Sequence, residues 1–203
     1  MIFSTIVVFL VQGAAHVVAS ETNNRSLEAK ERQVEVALAG SANRLINELP
    51  CFDSVVSTGN STSCDACLFP EVEAYLAANI GLYGSTVTLL GAGEGKAFCS
   101  PYVFRAADDE GTYSWKQTDS LMDPAYQIDE QEWLREPVDT KSPVWSDPYF
   151  DEGGGNIEME TYSVPLIVGG EVVGVATTDL PISSGARVAL AGVGMLSALI
   201  HLL

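Results

Sequence analysis

The chain has 203 residues and a formal charge of -17, from 27 acidic and 10 basic side chains. That length suits one ordinary domain with its own core. The charge excludes nucleic acid as a partner, because phosphate binding requires a basic patch. A strongly acidic balance is usually a solvated surface. It also suits a salty medium or a cationic ligand.

Residues 2–19 (IFSTIVVFLVQGAAHVVA) carry no full charge and are long enough to span a bilayer. They also read as a signal peptide with Ala19-Ser20 as the cut, although the usual basic residue near the start is missing. Residues 187–203 (RVALAGVGMLSALIHLL) form a second apolar run. The expectation is a middle domain outside the cytoplasm, held by one or two membrane segments. The positions of Arg25, Lys30 and Arg32 after the first run argue weakly against that orientation. A removable lipid-anchor tail would use Ser183, Ser184 and Gly185, but its polar spacer is nearly absent.

Residues 25–49 predict one long helix, with Leu27, Val34, Leu38, Leu45 and Leu49 on one stripe and Pro50 as its stop. Residues 51–69 read as a stapled loop rich in Ser, Thr and Cys. Outside the cytoplasm Cys51, Cys64, Cys67 and Cys99 should pair as disulfides, with three connectivities open. A four-thiolate zinc site is the second reading. Redox work is the third, but no strand and helix frame Cys64-Asp-Ala-Cys67. Pro70 is expected to open a short helix that Gly81 closes. Residues 85–91 and 97–105 read as strands joined by a glycine turn. Residues 106–128 look polar and turn-rich. Residues 129–137 predict a short helix stopped by Pro137, and 157–168 and 171–180 predict a final hairpin about Gly169-Gly170.

Pairing Val168 with Glu171 in that hairpin would place Tyr162 opposite Thr177 and Glu160 opposite Asp179. Two facing carboxylates repel and require compensation by solvent, an arginine, a metal or an amine. The other face would carry Ser163, Gly174 and Ala176, small enough for a helix to approach.

Ahead of the hairpin lies the acidic, glycine-rich stretch "PVWSDPYFDEGGGNIEMETYSVP" (143–165). A calcium loop starting at Asp147 would require an oxygen ligand where Tyr149 stands and a glycine where Glu152 stands. A phosphate cradle would require a lysine and a helix after the glycines. A weaker cation site at Asp151, Glu152 and Asn156 stays open, as does the lip of a pocket.

The ordered set "PYVFR" (101–105), "DPAYQIDEQEWLREP" (123–137), "PVWSDPYFDEGGGNIEMETYSVPL" (143–166) and "GVATTDL" (174–180) resembles the extracytoplasmic Cache (PAS-like) sensor domains. These serve bacterial chemoreceptors, histidine kinases and related membrane receptors. With the first helix, the resemblance covers most of residues 25–180. It implies an α+β fold, in which a long N-terminal helix packs on a curved antiparallel sheet and loops cover a ligand pocket. The implied layout is a signal peptide or membrane helix (1–20), the long helix (21–50), the sensor (51–182) and a membrane helix (187–203). The glycine-rich stretch then becomes a loop over the pocket, its glycines supplying a turn with positive φ.

The candidate ligand-binding residues are Tyr102, Arg105, Tyr126, Trp133, Trp145, Tyr149, Asp151, Tyr162 and Asp179. The aromatics supply flat walls with polar tips, or else ordinary core. Arg105 can hold a ligand carboxylate or neutralise an acid on its own sheet. In the resembled family, an aspartate at the place of Asp179 often binds the amine of an amino acid. The amino-acid-binding members carry an arginine and a tyrosine where this chain has Gln131 and Leu134. The carboxylate-reading half is missing, so a cationic or amine ligand is the expectation. No cofactor or metal is implied.

No kinase, cyclase, phosphatase or methyl-accepting segment is recognisable, so the expected partners are a small molecule, a membrane, a second copy and a separate output protein. His16 and His201 are the only histidines and lie in the apolar ends. Triad chemistry is therefore not open to the middle domain. A catalytic role is not expected. The alternative is a surface-anchored accessory domain of the same fold.

Overall fold

The computed structural model describes residues 26–93, 95–107, 113–118 and 120–182. Both apolar runs lie outside them, as does the anchor signal. Among the described residues no helix is long and apolar enough to cross a membrane. Glu35–Ile182 form one compact unit.

Residues 26–48 are helical (α1). Val34, Leu38, Ala42 and Leu45 are buried and Leu27 is exposed. The stretch 51–69, expected to be a loop, is instead mostly helix: α2 (Phe52–Thr58) and the start of α3 (Ser61–Ala78). Gly59 ends α2 at φ 61°, a left-handed stop that suits glycine. The Asn60 side chain accepts the Ser63 N–H at 2.8 Å and caps α3. Pro70 stands inside α3 rather than at its start. It forfeits one backbone hydrogen bond, but burial of Leu68, Val72 and Leu76 and two cross-links hold the helix through it. Cys51 pairs with Cys67 and Cys64 with Cys99. α3 is thus tied to α2 and to the sheet.

The sheet runs β4 (Tyr113–Thr118), β3 (Tyr102–Ala107), β1 (Gly84–Leu90), β8 (Glu171–Pro181), β7 (Glu158–Val168), β5 (Val144–Trp145), with every pairing antiparallel. β2 (Ala97–Cys99) extends the β1 edge and β6 (Tyr149–Phe150) the β7 edge. The expected single strand over 97–105 is split at Ser100-Pro101, and β4 occupies part of the stretch read as turns. α4 (Glu132–Thr140) continues past Pro137, whose ring is buried beside Trp133 and Leu134.

α3 packs on β1, β2 and β3, and α4 on β5, β7 and β8. One face of the sheet meets α1 and α3 through Leu38, Leu45, Val72, Tyr75, Val87 and Ala176. The opposite face carries a second core of Leu90, Tyr102, Leu121, Tyr126, Ile128, Trp133, Leu134 and Val175.

The final hairpin turns through Gly169 and Gly170, both at positive φ, and Val168 pairs with Glu171 as expected. The register then shifts. Ile167 pairs with Val172 but Leu166 with Gly174, which leaves Val173 as an extra residue on β8. This β-bulge moves every later pair by one. Tyr162 therefore faces Thr178 and Glu160 faces Leu180, while Asp179 faces Thr161. The expected Glu160–Asp179 pair does not form, and Ser163 pairs with Thr177 rather than with Ala176.

Candidate functional site

The bulge decides which side chains share the second face. Gly84, Asp179 and Thr161 stand in one row across β1, β8 and β7, and Thr86, Thr177 and Ser163 in the next. Thr86, Tyr102, Met159, Thr161, Thr177 and Asp179 form the floor of a cavity. Its roof comes from Leu121, Tyr126 in the following turn, Trp133 of α4, Tyr149 of β6, and Asp151. The cavity measures about 10 Å³, room for about one water molecule.

Asp179 is 3% exposed. Its Oδ2 accepts the Tyr102 hydroxyl at 2.9 Å and its Oδ1 the Thr161 hydroxyl at 2.9 Å. With the Thr161 proton so committed, the Tyr149 hydroxyl donates to Thr161 at 2.8 Å. Gly84 makes the contact possible. A Cβ there would lie 2.4 Å from Tyr102 Oη and 2.5 Å from Asp179 Oδ2.

Asp151 is 4% exposed. Its Oδ1 accepts the Tyr126 hydroxyl at 2.7 Å and its Oδ2 the Gly155 N–H at 2.5 Å. The glycine run now has a purpose. The chain doubles back over 151–156 until the Asn156 N–H reaches the Asp151 carbonyl at 2.8 Å. A Cβ on Gly154 would fall within the Asp151 carboxylate. Gly153, at φ 86°, starts the reversal. The Tyr83 hydroxyl fastens the far side by donating to the Gly155 carbonyl at 2.7 Å. Glu152 is exposed, so it does not join Asp151 around the cavity. Among the described residues no three metal-ligating side chains cluster.

Burial, first, and the Asp151 charge, second, push the Asp179 carboxyl up to about 7; its two hydroxyl donors pull the other way. Burial also raises the Tyr102, Tyr126 and Tyr149 hydroxyls, and the two aspartates add to it. These phenols therefore remain protonated donors at neutral pH. Among the described residues no basic side chain lines the cavity.

Six of the nine sequence candidates meet here: Tyr102, Tyr126, Trp133, Tyr149, Asp151 and Asp179. Three do not. Trp145 and Tyr162 pair on the other face, with ring centroids 4.9 Å apart. The Trp145 N–H donates to Glu35 Oε1 at 3.0 Å. Arg105 lines a separate groove of about 370 Å³ with Tyr83, Ile157 and Glu158. Sequence reasoning missed Thr161, Thr86 and Gly84. The available signal was Gly174 inside a strand, since an interior glycine often marks a bulge or a close backbone approach. A Cβ on it would lie 2.5 Å from the Thr88 carbonyl. Gln131, where the resembled amino-acid binders carry arginine, donates to the Tyr126 carbonyl at 2.8 Å and so positions a roof residue.

An antiparallel sheet with α1 and α3 on one face and a small polar cavity beneath α4 on the other is an α+β fold. The family model for the first PDC sensor domain of methyl-accepting chemotaxis-like proteins matches residues 70–184. The chain belongs to that family. No curated protein matches it. Among solved structures it is similar to the sensory domain of the Campylobacter jejuni chemoreceptor Tlp3 with isoleucine bound. The TM-score is 0.58 and the identity 17%, over 85% of this chain and 60% of that one. The same domain in complex with L-valine gives the same figures. The extracellular domain of the histidine-kinase candidate soHK1S-Z6 gives a TM-score of 0.50 and 23% identity, over 82% of this chain and 66% of that one. At these identities the likeness is one of fold. The chain spans less than two thirds of the length of these structures.

Proposed function

We propose that this chain is the extracytoplasmic ligand-sensing part of a membrane receptor, and that its pocket takes a small amine or other cation. Its role is binding rather than catalysis. The observation that carries the reading is the meeting of Asp151 and Asp179 in one buried cavity without a basic side chain among the described residues. Two carboxylates in such a space attract a positive group and repel an anion. The aromatic rings of Trp133 and Tyr149 in the roof suit an ammonium with an apolar body. Gln131, spent on the Tyr126 carbonyl, offers no charge to a ligand carboxylate. The small volume means that a ligand enters only as the roof residues move, a displacement of the kind receptors use for signalling.

In this reading the apolar runs 2–19 and 187–203 hold the domain at a membrane. A second copy pairs through α1, and an output module reads the movement. The disulfides support an oxidising compartment. The test is a thermal-shift screen of the purified chain against amines, amino acids, organic acids and divalent cations. Stabilisation by amines, lost in Asp179→Ala, is the expected result, since ligands of the folded state raise its stability. Stabilisation by plain carboxylates that depends on Arg105 would refute it.

A further inference from the structure

The two aspartates pose a charge problem that their neighbours do not solve. Every donor to them among the described residues is neutral: the hydroxyls of Tyr126, Tyr102 and Thr161 and the Gly155 amide. A cavity of about 10 Å³ has no space for a hydrated counter-ion. Ionising both groups together would therefore set two like charges against each other in a buried site with room for about one water molecule.

We infer that the Asp151–Asp179 pair holds one dissociable proton while its cavity lacks a cation, and that an ammonium group entering the pocket displaces that proton to bulk water. The inference rests on the amine reading given above and adds its regulation. The step balances simply. The Asp179 carboxylic acid loses its proton to solvent, and R–NH3+ takes the place of that positive charge beside the carboxylate. Among the described residues no other group lining the cavity is placed to make the exchange. From β3, the 123–127 turn and β6, the site is faced by Tyr102, Tyr126 and Tyr149, all held protonated. Tyr75 of α3, on the other face, is pushed up to about 12 by burial first, with a smaller push from the Asp179 charge. β1 and β7 present Thr86, Met159 and Thr161, and α4 presents Trp133; none of these titrates near neutrality. Asp179 itself is raised to about 7, so the exchange falls within the physiological range.

The consequence is a sensor whose response to amine is gated by acid. Below the titration midpoint the apparent affinity should weaken about tenfold for each pH unit, the ordinary linkage of one proton. Above it, affinity should level off.

The experiment is calorimetric binding of methylammonium, butylammonium and 1,4-diaminobutane to the full chain in detergent, at pH 5.5, 7 and 8.5. Two buffers of different ionisation enthalpy, neither an amine, count the protons released. Carboxyl carbon resonances of chain labelled at aspartate follow Asp179 directly. The expected result has three parts: close to one proton released per bound cation at pH 5.5, close to none at pH 8.5, and an Asp179 midpoint near 7 that moves to lower pH with butylammonium. Asp151→Asn should lower that midpoint without any cation. Binding of equal strength at all three pH values, without proton release, would overturn the exchange and leave the amine pocket standing. An Asp179 midpoint in the ordinary aspartate range near 4 would do the same. A folded chain that binds none of the three ammonium ions at any pH would overturn both.

Discussion

The two faces of the sheet are built from the same four central strands but solve different problems. The helix face is covered by α1 and α3, whose contacts are mainly apolar: Leu38, Leu45, Val72, Val87 and Ala176. It is also cross-linked, with Cys51–Cys67 inside the helical layer and Cys64–Cys99 between helix and sheet. The cavity face gives up part of its core to Thr86, Thr161, Thr177 and Asp179, all at most 3% exposed. Each of these polar groups costs stability unless paired. The contrast sets an apolar, cross-linked side that supplies folding energy against a polar side to which the proposed function assigns recognition.

The comparison can be broken most severely on the cross-linked side. Leu45→Ala should cost about 2–5 kcal/mol through lost burial and the cavity left behind, seen as a large fall in melting temperature. Replacing Cys64 and Cys99 together by serine should cost about 2–5 kcal/mol as well. In chain that still folds, neither change should alter ligand preference, and a changed preference would sink the division between faces.

On the cavity side the expected losses are smaller and more specific. Gly84→Ala forces Tyr102 and Asp179 apart, an overpacking cost of about 1–3 kcal/mol, and should abolish binding with the fold retained by circular dichroism. Asp179→Asn sharpens the contrast through pH. The carboxyl is raised from 3.8 to about 7 on folding, so the folded state binds the proton more tightly. That stabilising contribution is complete below about pH 4 and disappears as pH rises through 7. The wild-type chain should therefore lose stability over that window relative to Asp179→Asn, as denaturant titrations at successive pH values would show. The smallest effect belongs to Ser163→Ala. Its hydroxyl is buried without a hydrogen-bond partner among the described residues. Its removal should leave the melting temperature level or slightly higher, and a marked fall would reveal a partner.

Much of this arrangement could be read from the chain itself. The apolar stripe of α1 and the Gly169-Gly170 turn are local signals, and both are found in the structure. The resemblance pointed to the sensor fold and to six residues that the structure brings around one cavity. The misreadings have physical causes. Pro70 and Pro137 look like helix boundaries because propensity is local, whereas the burial that carries helices through them is tertiary. Ser and Thr around the cysteines suggested a loop, but two cross-links and a capped α3 override that preference. Tyr162 and Trp145 were assigned to the pocket because an aromatic carries no label for the face it occupies. Only the phase of the strand decides, and one unpaired residue on β8 changed it.

That unpaired residue also bears on descent. Val173 stands between the hairpin tip and the part of β8 that builds the cavity. Losing that one codon would remove the bulge and leave the later pairs as they are. Gaining one more, paired as the others are, would invert the parity of the strand pairing. Tyr162 would come to stand opposite Thr177, and Thr161 would lose its place beside Asp179. Descent should therefore tolerate a shortening at this point and purge a single-residue lengthening. Single-residue insertions in this segment would separate lineages that share a pocket from those that have exchanged its floor for another.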